Sequence, residues 1–116
     1  MIGTPPERKF QRFNLSYPVR VKFPSRYSVV EVDAVSRNIS IGGLLLESNC
    51  LIPHRTPVEF TITLTGPPIS RLFQLGGTGE VVRLETGAAE DSYGIAVACA
   101  EPIYHIENYL SAANGQ

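Results

Sequence analysis

Val29–Ser40 reads VVEVDAVSRNIS, and Ile41–Glu47 carries it on as IGGLLLE. β-Branched residues crowd the first stretch, as they do on a pleated, half-buried surface. Alternate residues of a strand share a face. Val30, Val32 and Ala34 fall in one phase, whereas Val35 and Ile39 fall in the other. Either a bulge shifts the phase, or the strand is buried differently along its length. Leu44 and Leu46 resume the alternation beyond Gly42-Gly43. Asn38 and Ser40, two apart, put an amide and a hydroxyl side by side on one face, next to backbone bare of side chains.

The flanking sequence repeats the period of two. Tyr17–Phe23, YPVRVKF, places Val19, Val21 and Phe23 on one face, and PSRY follows as a turn. LIPHRTP is a connection, and VEFTITL alternates with Val58, Phe60, Ile62 and Leu64 inward. TGPPIS has the composition of a turn. RLFQLGGTGEVVRLE reads as a long strand, bent or bulged at Gly76–Gly79. TGAAEDS is a loop, and YGIAVAC is a last strand with Ile95, Val97 and Cys99 in phase. In EPIYHIENYLSAANGQ the period changes: Ile103, Ile106, Tyr109, Leu110 and Ala113 fall at helical spacing, behind Pro102 and ahead of Asn114-Gly115. The expected fold is all-β with a C-terminal helix. Short antiparallel strands hide their edges by closing into a small barrel. We divide the single domain into an N-terminal arm over 1–16, a barrel over 17–100, and a helix and tail over 101–116.

The chain has 116 residues, enough for one domain and one core. A net charge of −1 argues against a general binder of nucleic-acid polymers. No apolar run reaches membrane-span length, and the opening MIGTPPERKF is not a signal peptide. Membrane insertion is therefore not expected. Cys50 and Cys99 lie far apart in apolar surroundings, which reads as two buried free thiols and, with the rest, a cytoplasmic protein.

Candidate chemistry is sparse. Gly77-Thr78-Gly79 begins a dinucleotide fingerprint, but Val82 breaks it and no βαβ unit surrounds it. His54 and His105 lack ligand-spaced partners, so no metal is expected. No Ser, His and Asp set suggests a nucleophile, and no catalytic residues or enzyme activity are assigned. The aromatic and basic interleaving of a groove for single-stranded nucleic acid is thin. Two features remain. Arg8 and Arg12, four apart in ERKFQRF, are a solvated arm on the plain reading, or a pair that converges on one anion or purine. Asn38 and Ser40 are turn formers on the plain reading, or donors and acceptors for a flat polar ligand that Gly43 lets approach the backbone.

Together, Arg8-x-x-x-Arg12 and Asn38-x-Ser40-x-x-Gly43 resemble the two-part signature of the PilZ domain family, bacterial receptors for the second messenger cyclic di-GMP. ERKFQRFNLSYPVRVKF, GEVVRLE and YGIAVAC are similar to the family's opening and late strands, so the likeness runs over roughly residues 7 to 112. The resemblance implies a six-stranded antiparallel barrel with a flexible arginine arm. It implies a cyclic di-GMP site in which Arg8 and Arg12 hold guanine edges and phosphates. Asn38 and Ser40 would bond the other guanine, and Gly43 would keep the backbone accessible. Asn38 stands where aspartate is commoner, and an amide oxygen accepts less strongly than a carboxylate. Glu7 stands where a third arginine would help hold a stacked nucleotide pair. No cofactor is implied beyond this ligand. Ordering of the arm would present a surface to an effector protein, in motility or biofilm signalling. The alternative is an adaptor for pilus or motility machinery that binds no nucleotide. Such members usually lack the signature residues that this chain retains.

Overall fold

The computed structural model describes residues 12–64 and 73–103. Six strands follow one another: β1 (Pro18–Pro24), β2 (Val29–Ile39), β3 (Gly43–Ser48), β4 (Pro57–Leu64), β5 (Phe73–Thr86) and β6 (Tyr93–Cys99). They form a closed antiparallel barrel in the order β1-β2-β3-β6-β5-β4, with β4 returning to β1. Closure removes every free sheet edge. The expected six-stranded barrel is therefore the observed fold. Arg8 and the helix expected over 101–116 lie outside the described residues, apart from residues 101–103, which are not helical.

The core follows the alternation. Val19 and Val21 of β1, Val58, Phe60, Ile62 and Leu64 of β4, and Ile95 and Val97 of β6 all point inward. Each fully buried aliphatic or aromatic side chain contributes about 1.5–3 kcal/mol. Phe23 and Cys99, expected inside, are only partly buried against this core. Cys50 corrects a second expectation. It is exposed, because β3 ends at Ser48 and the chain turns outward there before Ile52 plugs back into the core.

The mixed phase of β2 resolves as a bulge. Ser36 pairs with Leu46 and Asn38 with Leu45, so Arg37 is the extra residue. Val32, Ala34 and Ser36 face inward before it and Ile39 after it, whereas Val35 is exposed. In β5 the irregularity is not at Gly76–Gly79, as expected, but between Val81 and Arg83, where Val82 is extra. The glycines sit in an unbroken ladder with β4. Gly77 and Gly79 must be small because something lies over them, whereas a Cβ at Gly76 would make only ordinary contact. A Cβ at Gly77 would come within 2.6 Å of the Phe60 ring, and one at Gly79 within 2.8 Å of the Val97 side chain.

The segment before β1 is tied to the barrel. Phe13 exchanges two backbone hydrogen bonds with Ile39, at 2.8 and 2.9 Å, and is itself buried. Ser36 completes the attachment. Its hydroxyl donates to the Leu15 carbonyl at 2.6 Å and accepts from the Tyr17 N–H at 2.8 Å. Burial raises the pKa of the adjacent Tyr17 phenol by desolvation. The arm expected over 1–16, and expected to be flexible, is thus pinned from Phe13 onward, so Arg12 is the last residue before the clamp.

Candidate functional site

Phe13 and the β2 bulge between them place the candidate residues. The clamp on Ile39 fixes where Arg12 leaves the barrel. The bulge at Arg37 turns Asn38 to the outer surface, opposite Leu45. Beyond it, Ser40–Gly43 forms the turn into β3. The Ser40 N–H donates to the Gly43 carbonyl at 2.9 Å, and the Gly43 N–H donates to Ser40 Oγ at 3.2 Å. The Ser40 hydroxyl also lies 3.3 Å from the Gly43 carbonyl.

Arg12, Asn38, Ser40 and Gly43 line one shallow depression of about 250 Å³ on the outer face of β3, β6 and β5. Four of the five residues expected in a site therefore meet; Arg8 lies outside the described residues. Among the described residues, no ion pair or hydrogen bond engages the Arg12 guanidinium or the Asn38 amide. Both are free to serve a ligand. Ser40 is not free to the same degree, because its hydroxyl already serves the turn, which is the plain reading of this residue. Gly43 also carries a structural duty. A Cβ there would lie 2.6 Å from the Val97 carbonyl oxygen on β6. Its smallness is required by strand packing, whatever approaches from outside.

Small residues, Gly42, Gly43, Ala96 and Ala98, share the lining of the depression with Leu44, Leu45, Val82 and Val97. Among the described residues its cations are Arg12 and Arg83, and no carboxylate lines it. By contrast, the larger groove over β1, β2 and β4 sets Arg20 and Lys22 against Glu31, Asp33 and Glu59. That groove carries one more carboxylate than cations, whereas the smaller depression is positive among the described residues, and a positive lining suits an anion. The glycines and alanines in its lining leave room for a planar ring. Arg83 was not among the residues singled out in the sequence. It reaches the depression through strand pairing, which a local motif does not carry.

Next to the depression, Glu47 braces the β5–β6 loop. Its carboxylate accepts from the backbone N–H of Ala88 at 2.9 Å and of Ala89 at 3.3 Å, and from the Ser92 hydroxyl at 3.3 Å. The bond from Ala88 is the largest influence holding its pKa below the ordinary value, against a smaller opposing effect of burial; Arg37 at 3.8 Å adds to the lowering. Among the described residues, no cluster of His, Cys, Asp and Glu is set to hold a metal ion, and no helix is long and apolar enough to cross a membrane.

The profile of the PilZ domain matches residues 6–110. No curated protein sequence matches the chain. Among solved structures, the inhibitor of motility MotI/DgrA of Bacillus subtilis superposes with a TM-score of 0.70 at 16% identity, covering 91% of this chain and 49% of that one. This chain thus spans about half the length of that protein. The PilZ domain of CeSA from a cellulose-synthesizing bacterium superposes with a TM-score of 0.55 at 19% identity, covering 87% of this chain and 96% of that one.

Proposed function

We propose that this chain, which belongs to the PilZ domain family, binds cyclic di-GMP on the depression between Arg12 and Asn38 and passes the signal to a partner protein. One observation carries the reading. A guanidinium and an amide, both unengaged, border a floor that includes Gly42, Gly43, Ala96 and Ala98 and, among the described residues, contains no carboxylate. A guanidinium fork donates to guanine O6 and N7, or to a phosphate. The Asn38 amide oxygen accepts from guanine N1–H or N2–H, and its NH₂ group donates. The bare floor supplies area for the purine ring. The likeness to an inhibitor of motility supports a regulatory output rather than catalysis.

The Phe13 clamp gives the mechanism its geometry. The barrel end of the arginine segment is fixed, so a ligand held by Arg12 lies against β3 and β6 without first ordering that joint. Arg8, four residues earlier, is the second hand of the same grip. A ligand with two phosphates and two guanines bridges arm and barrel and makes a composite surface of both, which an effector reads.

Calorimetric titration with cyclic di-GMP tests this, with GMP and cyclic di-AMP as controls. The expected affinity is micromolar or tighter, about −8 kcal/mol or better. Adenine presents a donor where guanine presents O6, so cyclic di-AMP is rejected. Equal binding of both dinucleotides, or no heat with either, would overturn the proposal.

A further inference from the structure

Glu85 sits between two arginines. Its Oε2 lies 3.3 Å from Arg83 Nε, and its Oε1 lies 3.5 Å from Arg37 Nη1. Gly94 makes this possible. It pairs with Glu85 across the β5–β6 ladder, and a Cβ on it would come within 2.6 Å of Glu85 Cγ. The glutamate therefore lies flat across the bare strand and reaches toward β2. Arg37, the residue extruded by the β2 bulge, meets it there and also faces Glu47 at 3.8 Å.

Arg83 belongs to the depression as well as to this pair. The ladders pair Asn38 with Leu45, Leu45 with Ala96, and Ala96 with Arg83. These four residues form one row across the outer face. Three strand spacings of about 4.8 Å put Arg83 about 14 Å from Asn38. Arg12 and Arg83 therefore both border the floor, with Leu45 and Ala96 lying between Asn38 and Arg83. The β5 bulge is what aims Arg83 outward. Without Val82 as the extra residue, position 83 would continue the inward phase of Gly79 and Val81.

We infer that Arg83 contacts the anionic dinucleotide at the far side of the depression, and that Glu85 is a built-in competitor for it. This rests on the reading that the depression takes cyclic di-GMP. In the free protein the Glu85 carboxylate holds the Arg83 guanidinium. In the complex a ligand phosphate takes its place. The exchange is easy for two reasons. The Arg83 and Glu85 side chains are 57% and 38% exposed, so water screens their attraction and the pair is weak. Moreover, Glu85 keeps Arg37 when Arg83 departs, so no charge is left alone. A phosphate offers the guanidinium a bidentate partner in place of a single 3.3 Å contact. Glu85 thus sets the affinity without touching the ligand.

The test is titration of the full chain with cyclic di-GMP in four forms: wild type, Arg83→Gln, Glu85→Gln, and the double variant. Thermal melting confirms that each is folded. Arg83→Gln is expected to weaken binding by roughly tenfold or more. Glu85→Gln is expected to tighten it by about two- to fivefold, the size of a released exposed pair. In the double variant that gain disappears, because no guanidinium is left to release. Wild-type binding with Arg83→Gln unchanged would overturn the contact. A Glu85→Gln gain that persists undiminished beside Gln at 83 would overturn the competition, showing bulk charge instead. Both results leave the depression as the ligand site. Absence of binding by the wild type is the separate failure of the site itself.

Discussion

Replacing Gly43 with alanine separates two reasons for a glycine at the site. The family resemblance assigns Gly43 to ligand approach. The structure adds that its Cβ would stand 2.6 Å from the Val97 carbonyl oxygen. An ordinary carbon–oxygen contact needs about 3.3 Å, so β3 and β6 must part by about 0.7 Å. Little can yield. Gly43 pairs with Ala98 and the next residue, Leu44, with Val97, both in an unbroken ladder. The clashing atom is backbone, not the end of a flexible side chain. Overpacking of this kind costs about 1–3 kcal/mol. For a chain of this size each kcal/mol lowers Tm by about 3–6 °C. Gly43→Ala is therefore expected to melt several degrees below wild type in the absence of any ligand. Affinity should fall with it, because the Gly43 N–H and carbonyl both anchor Ser40. Thermal unfolding by circular dichroism, with and without cyclic di-GMP, makes the measurement. An unchanged Tm in the free protein with affinity alone reduced would refute the packing argument.

Ser36→Ala strips the Tyr17 N–H and Leu15 carbonyl of their side-chain partner in a buried place. It is expected to cost about 1–3 kcal/mol in denaturant unfolding and to weaken ligand binding by loosening the Arg12 joint; an unchanged midpoint would refute the clamp. Phe60→Ala empties the core beside Gly77 and is expected to cost about 3–5 kcal/mol by the same assay. The two thiols should differ sharply toward an alkylating reagent. Burial pushes the Cys99 pKa up to about 11, so at pH 8 it stays protonated, whereas Cys50 is exposed. Mass spectrometry should show label on Cys50 first, with Cys99 reacting as pH approaches 11 or the chain unfolds; equal rates at pH 8 would contradict the burial.

The strands were legible because their alternation is a local property. Val58, Phe60, Ile62 and Leu64 declare one face with no knowledge of their partners. The phase change in β2 showed for the same reason, but alternation alone left a bulge and uneven burial both open, and only the pairing with β3 decides for the bulge. The β5 bulge was misplaced because glycines suggest a bend whether or not they make one. Gly77 is small for Phe60, and Gly79 for the Ala98 carbonyl and the Val97 side chain, all of which come from other strands. The phase change between Val81 and Leu84 was the better signal. Arg12, Asn38, Ser40 and Gly43 were legible by spacing. Arg83 was not, because only the register of β6 between β3 and β5 brings it to their face. Ser36 shares the phase of Val32 and Ala34 but escaped notice because its polar side chain does not mark a core position. Only burial shows that it holds the arginine segment to the barrel.

The central claim is that the depression bordered by Arg12 and Asn38 takes a guanine dinucleotide. It is tested most directly by titrating wild type and Arg12→Ala with cyclic di-GMP, alongside their melting curves without ligand. Arg12 makes no ion pair among the described residues, so its loss should leave Tm unchanged. Affinity should fall by roughly ten- to a hundredfold, the worth of a charge-assisted contact of about 1.5–3 kcal/mol. Binding by Arg12→Ala as tight as by wild type would contradict the account.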